Sequence, residues 1–480
     1  MSNLSELLPA GGAAKEFEVV ASGSLGNGAT VVLKSDGTVE VVGETAVPAS
    51  VGAESVFSST IIYYTSVAML SATKAIVTYR DGGNNNYGTA CILTMSGTTI
   101  TAGTPVVYES ATSSYNSVTM LSSTKAIVAY QDVGNSSYGT ACILDVSGTT
   151  ITSGTPAVFE SASSESITVS ILTSTKAIVA YKDQGNGEYG TACILDVSGT
   201  TITSGTPAVF ENSAISYTSI DILASTKAVV CYRDSGNGGY GTSCILDVSG
   251  STITSGTPLV FNSGSTAYPS VAALTSTKGI VCYRNSSNSS YGTACILDVS
   301  GSTITAGTPA VFESASSDYI SVASLTSVKA IVAYKDDGNS GYTTSCTLNV
   351  SGSTITYETP VTLNNTSSEH ISITTGDDLQ TVVCYGGNND YGTSIAIQNA
   401  YTSTNLTSTN FLGITDAAIT SGASGSVTIK GGLKSELSSL TPNSIYYVQS
   451  DGSVTTASTA PAVRIGKALS STTLNLEFSS

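Results

Sequence analysis

The sequence predicts an all-β protein: a seven-bladed β-propeller closed by an N-terminal strand, plus a β-domain formed by both termini. Three observations predict it. The first is repetition. Near-copies of one segment, TSTKAIVAYKDQGNGEYGTACILDVSGTTITSGTPAVFE in residues 173–211, run through most of the chain. The tyrosine that opens the YGT triplet and its counterparts falls at Tyr87, Tyr138, Tyr189, Tyr240, Tyr291, Tyr342 and Tyr391, spaced 51 residues apart five times and then 49. A period near fifty is that of a propeller or solenoid. The second is that each copy reads as four short strands with no helical periodicity, which is the content of one propeller blade. The third is a displaced strand. Six copies carry their own fourth strand, at 104–110, 155–161, 206–212, 257–263, 308–314 and, more weakly, 359–365. Copy seven has none, while a matching segment at 54–59 (ESVFSS) precedes the first copy. Ring closure by that segment removes the exposed sheet edges of an open array.

In chain order, residues 1–45 form the N-terminal part of an anchoring β-domain. Within it, 29–43 reads as a hairpin about Ser35-Asp36-Gly37, where Asp-Gly supplies the tight turn. Residues 46–400 form the propeller. In copy three the strands are expected at 166–172, 176–183, 190–197 and 201–211, with Pro207 marking the fourth as an outer edge strand. Residues 401–480 complete the anchoring domain. Their hairpin at 445–457 parallels the one at 31–42, and short strands are expected at 426–430 and 473–478.

Composition narrows the functional classes. Only 11% of residues are charged, and 17 Lys and Arg against 34 Asp and Glu give a net charge of −17. Phosphate backbones would be repelled, so nucleic acid is not an expected partner. No apolar run approaches the ~20 residues of a membrane span, and the N-terminus lacks a secretory signal pattern. Nine cysteines follow the repeat and interchange with Ile, Ala and Thr, as buried small apolar residues do. Cys231 with Cys244, and Cys282 with Cys295, lie where a hairpin could bring them face to face as disulfides, while equivalent sites with no second cysteine argue against a disulfide framework. The lysines opening each second strand are expected to pair across the hairpin, Lys125 with Asp145, Lys176 with Asp196, Lys227 with Asp247 and Lys278 with Asp298.

Differences between copies locate the candidate site. Turns such as STK and SGT are nearly uniform, whereas the segments joining the fourth strand to the next first strand vary, from STIIYY to SASSES to NTSSEH. These segments are expected to be loops, and diverse loops on a rigid scaffold are where binding concentrates. They carry Tyr64, Tyr115, Tyr217, Tyr268 and Tyr319 at one repeat position, with Ser166 and His370 in the other two copies. Beside them, at the ends of the second strands, stand Arg80, Arg233 and Arg284, with Gln131, Lys182 and Lys335 in the remaining copies. Aromatic faces and polar termini of this kind suit a glycan. They equally suit rings packed between blades, with the neighbouring Asp residues capping the D-x-G-N turns. Those turns offer too few carboxylates for calcium, and no cofactor or metal is expected. His370 is the only histidine, so a His-based metal cluster is not available, no residue set for a Ser–His–Asp triad stands out, and no enzymatic activity is expected.

The repeat YGTACILDVSGTTITSGTPAVF resembles propeller-type repeats in tail-fibre-like proteins of marine phages, particularly cyanophages. The tail FLGITDAAITSGASGSVTIKGG…LTPNSIYYVQSDGSVTT and the opening MSNLSELLPAGG resemble the C- and N-termini of such virion-surface proteins. The resemblance implies a non-enzymatic virion structural protein, a tail fibre or surface adhesin on a particle released by host lysis. It implies contact with other virion proteins through the terminal β-domain, recognition of a host cell-surface glycan or protein, and scope for a homo-oligomer. The alternatives are a capsid decoration or head-fibre protein and, less favoured, a glycan-cleaving propeller enzyme.

Overall fold

The Lys176–Asp183 strand shows why the repeat is a β-unit. Its run of Ala177, Ile178, Val179, Ala180 and Tyr181 is wholly buried, and β-branched and aromatic residues suit a strand covered on both faces. Alternate residues enter different cores. Ala177, Val179 and Tyr181 pack with Phe159 on one side, and Ile178 and Ala180 pack with Phe210 on the other. The structure is a computed structural model describing residues 16–376, 379–458 and 462–477. It divides into two compact units, Ala49–Asn399 and Met1–Pro48 with Ala400–Ser480.

In the first unit, Lys176–Asp183 pairs antiparallel with Ala157–Thr173 and with Tyr189–Ser198. The expected fourth strand is split. Thr201–Ser204 pairs with the far half of Tyr189–Ser198, and Ala208, Val209 and Glu211 pair with its near half. Gly205-Thr206-Pro207 interrupts it where proline has no N–H to give the ladder, and the Gly205 N–H bridges the break to the Ile194 carbonyl at 2.7 Å.

The segments expected as loops are strand. Ala157–Thr173, Ala208–Ala224 and Leu259–Thr275 each run unbroken from the edge of one copy into the first strand of the next. Register shifts, for example between Glu165 and Thr168, bend the chain there. A β-bulge changes direction without breaking the ladder, so no loop is needed.

The glycine of YGT answers to space. A Cβ on Gly190 would lie 2.4 Å from the Phe210 ring, and one on Gly139 2.4 Å from the Phe159 ring. Copy six has Thr343 instead of glycine, and there Leu363 replaces the aromatic ring.

The cysteine pairs do not face each other. Cys231 stands opposite Ser243, and Cys244 opposite Val230. Neighbouring strand positions project to opposite faces, so Cys231 and Cys244 enter different cores. Cys282 and Cys295 are separated in the same way. All nine cysteines are free and buried.

The four lysines do meet their cross-strand aspartates, Lys125 with Asp145 at 2.6 Å. They reach further than expected, since Lys125 and Lys278 also donate to the carbonyls of Gly199 and Gly352 in the following copy, both at 2.9 Å.

The segment before the first copy pairs with the seventh. Within Ser55–Ser71, Ser55, Val56, Ser58 and Ile61 stand opposite Ser394, Thr393, Gly392 and Tyr391. Ser50–Val51 extends the contact to Gln398 and Ile397. Tyr385 donates to the Glu54 carboxylate at 2.6 Å.

The second unit is built from both termini. One sheet runs in the order Glu16–Val20, Ser424–Ile429, Phe411–Thr415, Thr30–Leu33, Val39–Val41. Another holds Leu433–Lys434, Leu474–Leu476, Ala462–Ala468, Ile445–Gln449 and Val454–Thr455. Val32 and Val42 share a core with Phe411, Val448 and Ile465. Both expected hairpins turn at glycines in the left-handed region, Gly37 and Gly452 at φ +84°, which glycine adopts without cost. The opening MSNLSELLPAGG and the last residue of the 473–478 strand lie outside the described residues. Among the described residues, no helix is long and apolar enough to cross a membrane.

Candidate functional site

At each bulge one residue takes a left-handed backbone: Tyr64, Tyr115, Ser166, Tyr217, Tyr268, Tyr319 and His370, with φ between 49° and 54°. For residues other than glycine this conformation costs about 1–2 kcal/mol. A strain repeated at one position in seven copies marks that position as a candidate site.

The strained residues converge on one cavity of about 590 Å³, which all seven line. The rings follow one another around it. Tyr217 stands 5.0 Å from Tyr268, Tyr268 5.3 Å from Tyr319, and Tyr319 5.2 Å from His370. His370 is 5.8 Å from Tyr64, and Tyr64 4.9 Å from Tyr115. Between Tyr115 and Tyr217 the succession breaks, because Ser166 supplies a hydroxyl instead of a ring and accepts the Tyr217 N–H at 3.1 Å.

The three arginines divide. Arg233 lines the cavity. Arg80 stacks on Tyr63 and Tyr64, 4.2 and 5.0 Å from their centroids. Arg284 lies 5.3 Å from the Tyr268 centroid and pairs with Asp318. Arg80 and Arg284 thus brace rings of the rim. The adjacent aspartates cap turns: Asp183 accepts the Gly185 N–H at 2.9 Å and Asp132 the Asn135 N–H at 3.1 Å. Among the described residues, no group of three or more His, Cys, Asp or Glu could hold a metal ion.

The lining also contains residues that the comparison of copies did not single out. Asn116 is 6% exposed, and neither its amide nitrogen nor its oxygen has a partner. The Thr65 and Thr168 hydroxyls are also buried without one. Leaving such groups unpaired costs about 1–3 kcal/mol each. For Thr65 and Asn116 the signal was in the sequence one position beyond the tyrosines, where the copies read Thr, Asn, Ile, Thr, Pro, Ile and Ile.

Burial disfavours the charged forms of Tyr268 and His370. It pushes the Tyr268 hydroxyl up to about 12. It also lowers His370 to about 4, helped by Arg80 and opposed by Asp390. Folded His370 is therefore neutral where unfolded histidine, at 6.5, begins to protonate. Its contribution to stability is complete above about pH 6.5 and is lost as pH falls toward 4. Between pH 7 and pH 5 the protein should lose on the order of 1–2 kcal/mol through this group. In His370→Tyr, the residue five other copies carry, that part of the pH dependence should vanish in denaturant titrations at the two pH values.

No protein-family model matches the chain, and no curated protein sequence matches it. Solved structures do. The BP39L lectin from Burkholderia pseudomallei aligns over 72% of this chain and 98% of its own, with 9% identity and a TM-score of 0.54. A protein of unknown function from Dyadobacter fermentans aligns over 74% and 99%, with 12% identity and a TM-score of 0.44. The β-propeller domain of the Trilobed protease from Pyrococcus furiosus aligns over 72% and 97%, with 10% identity and a TM-score of 0.44. At such identities the likeness to the lectin is one of fold. The chain is all-β and propeller-like, with a repeated blade pattern.

Proposed function

We propose that residues 49–399 form a closed seven-bladed propeller and that its aromatic-rimmed cavity is a recognition site for a surface ligand. On this account the protein is a non-enzymatic surface component of a phage particle, a tail fibre or adhesin. The unit built from both termini joins it to other virion proteins, and the cavity meets the host envelope. The observation that carries the recognition site is the rim itself: six rings and one serine, all in a strained backbone conformation, around one cavity; the particle assignment rests on the resemblance of the repeat and the termini. The pairing of residues 55–61 with 391–394 supports closure.

The experiment has two arms. Gold-labelled antibody against the protein should mark fibres or surface projections of particles carrying it, and the purified protein should bind host cells and slow particle attachment. Label confined to the capsid shell, with no cell binding, would make the protein a shell component instead. Sugar release from host envelopes would overturn the non-enzymatic assignment.

A further inference from the structure

The cavity lining is sorted by side. One side carries the polar groups, Asn116, Glu165, Ser166, Thr168, Ser216 and Arg233, beside Tyr115, Ile167 and Tyr217. The facing copies supply only ring-and-apolar pairs, Tyr268 with Pro269, Tyr319 with Ile320 and His370 with Ile371. A pyranose has the same two-sidedness, with a C–H face that packs on aromatic rings and a rim of hydroxyls that needs donors and acceptors. Asn116 offers both, and neither is engaged. The gap at Ser166 leaves room on the polar side, and about 590 Å³ is the size of a small-ligand site.

Arg233 adds a charge requirement. Lys182 is held by Glu165 and Glu188, and Arg284 by Asp318. Among the described residues, Arg233 has no carboxylate within ion-pair distance, whereas Arg284 has Asp318; the Arg233 Nε, like those of Arg80 and Arg284, is buried without a partner. In a chain of net charge −17, a cavity-lining guanidinium with no ion-pair partner is a seat for an anion, the one carboxylate of the lining, Glu165, being paired with Lys182, and guanidinium geometry favours a carboxylate.

We infer that the cavity is a single, asymmetric site for a carboxylated sugar. Its carboxylate sits on Arg233, its hydroxyls on Asn116 and the Ser166 side, and its C–H face against Tyr268 and Tyr319. The inference rests on the proposal that this cavity is the recognition site.

Methyl β-D-glucuronide and methyl β-D-glucoside differ at one carbon, carboxylate against hydroxymethyl, and make the test. Both are titrated into the full chain by calorimetry, with tyrosine fluorescence as a second readout. The glucuronide should bind about tenfold or more tighter. Arg233→Gln should remove that preference, and Ser166→Tyr, which fills the gap with the residue of five other copies, should abolish both titrations. Equal affinities, no binding of either sugar, or a preference that survives Arg233→Gln would overturn the inference. So would complete displacement of the glucuronide by equimolar inorganic sulfate, which would reduce the site to one for simple anions. Host-cell binding that is lost in Ser166→Tyr, with neither sugar bound, would sink the sugar assignment and leave the recognition site standing. Absence of host-cell binding would sink the recognition site itself.

Discussion

Phe57→Ala is expected to destabilise the propeller unit as much as Phe210→Ala does, by about 3–5 kcal/mol in each case. The two rings occupy matching sites. Phe57 is 4% exposed and Phe210 5%. Phe57 lies 5.3 Å from Tyr79, and Phe210 5.3 Å from Tyr232. Each covers a YGT glycine, Gly392 or Gly190, at 2.4 Å from the position a Cβ would take. Phe210 belongs to the interior of the repeat array. Phe57 precedes the first copy and covers a glycine of the seventh, so its burial exists only if the two ends of the array meet. The measurement is the midpoint of the propeller transition in guanidinium or on heating, followed separately from any transition of the terminal unit because two compact units need not unfold together. Equal losses support closure. A loss in Phe210→Ala alone would mean that the ends are apart in solution.

Gly190→Thr should cost about 1–3 kcal/mol by overpacking, and Phe210→Leu in the same chain should recover part of it. Gly190 does not have a positive φ, so the demand is for room beneath the Phe210 ring. Copy six already carries both changes as Thr343 and Leu363, and Leu363 is 6% exposed. In a double-mutant cycle the pair should be coupled by about 1 kcal/mol or more. Strict additivity of the two single substitutions would show that the glycine and the ring do not compete for the same space.

Much of this architecture could be read from the chain because a repeat supplies its own internal comparison. Counting across the hairpin between the second and third strands put Lys125 opposite Asp145, and the ladder has that register. The same counting, applied to faces, separates Cys231 from Cys244, since adjacent positions on paired strands point opposite ways. The bulges were not legible. A left-handed residue is usually announced by Gly, Asn or Asp, and here it is tyrosine in five copies. With no such marker, serine-rich segments such as SASSES read as loops although they lie within one continuous, bulged strand.

The candidate site was legible in part for the same reason. Tyr64, Tyr115, Tyr217, Tyr268, Tyr319 and His370 coincide at one repeat position in the sequence, and these residues line one cavity. Arg233 lies with them, while Arg80 and Arg284 brace rings. Nothing in the composition signalled that Asn116 would be buried with its amide unpaired. The odd copies carry the information. Ser166 breaks the ring succession, and His370 replaces a tyrosine with a group that titrates.

The central claim, that the propeller recognises a surface ligand through this cavity, is tested most directly by equilibrium binding of the purified protein to host envelopes, wild type against Ser166→Tyr. The account predicts saturable binding by the wild type and at least about tenfold weaker binding by the variant, with an unchanged unfolding midpoint. Equal binding by the two proteins would contradict it.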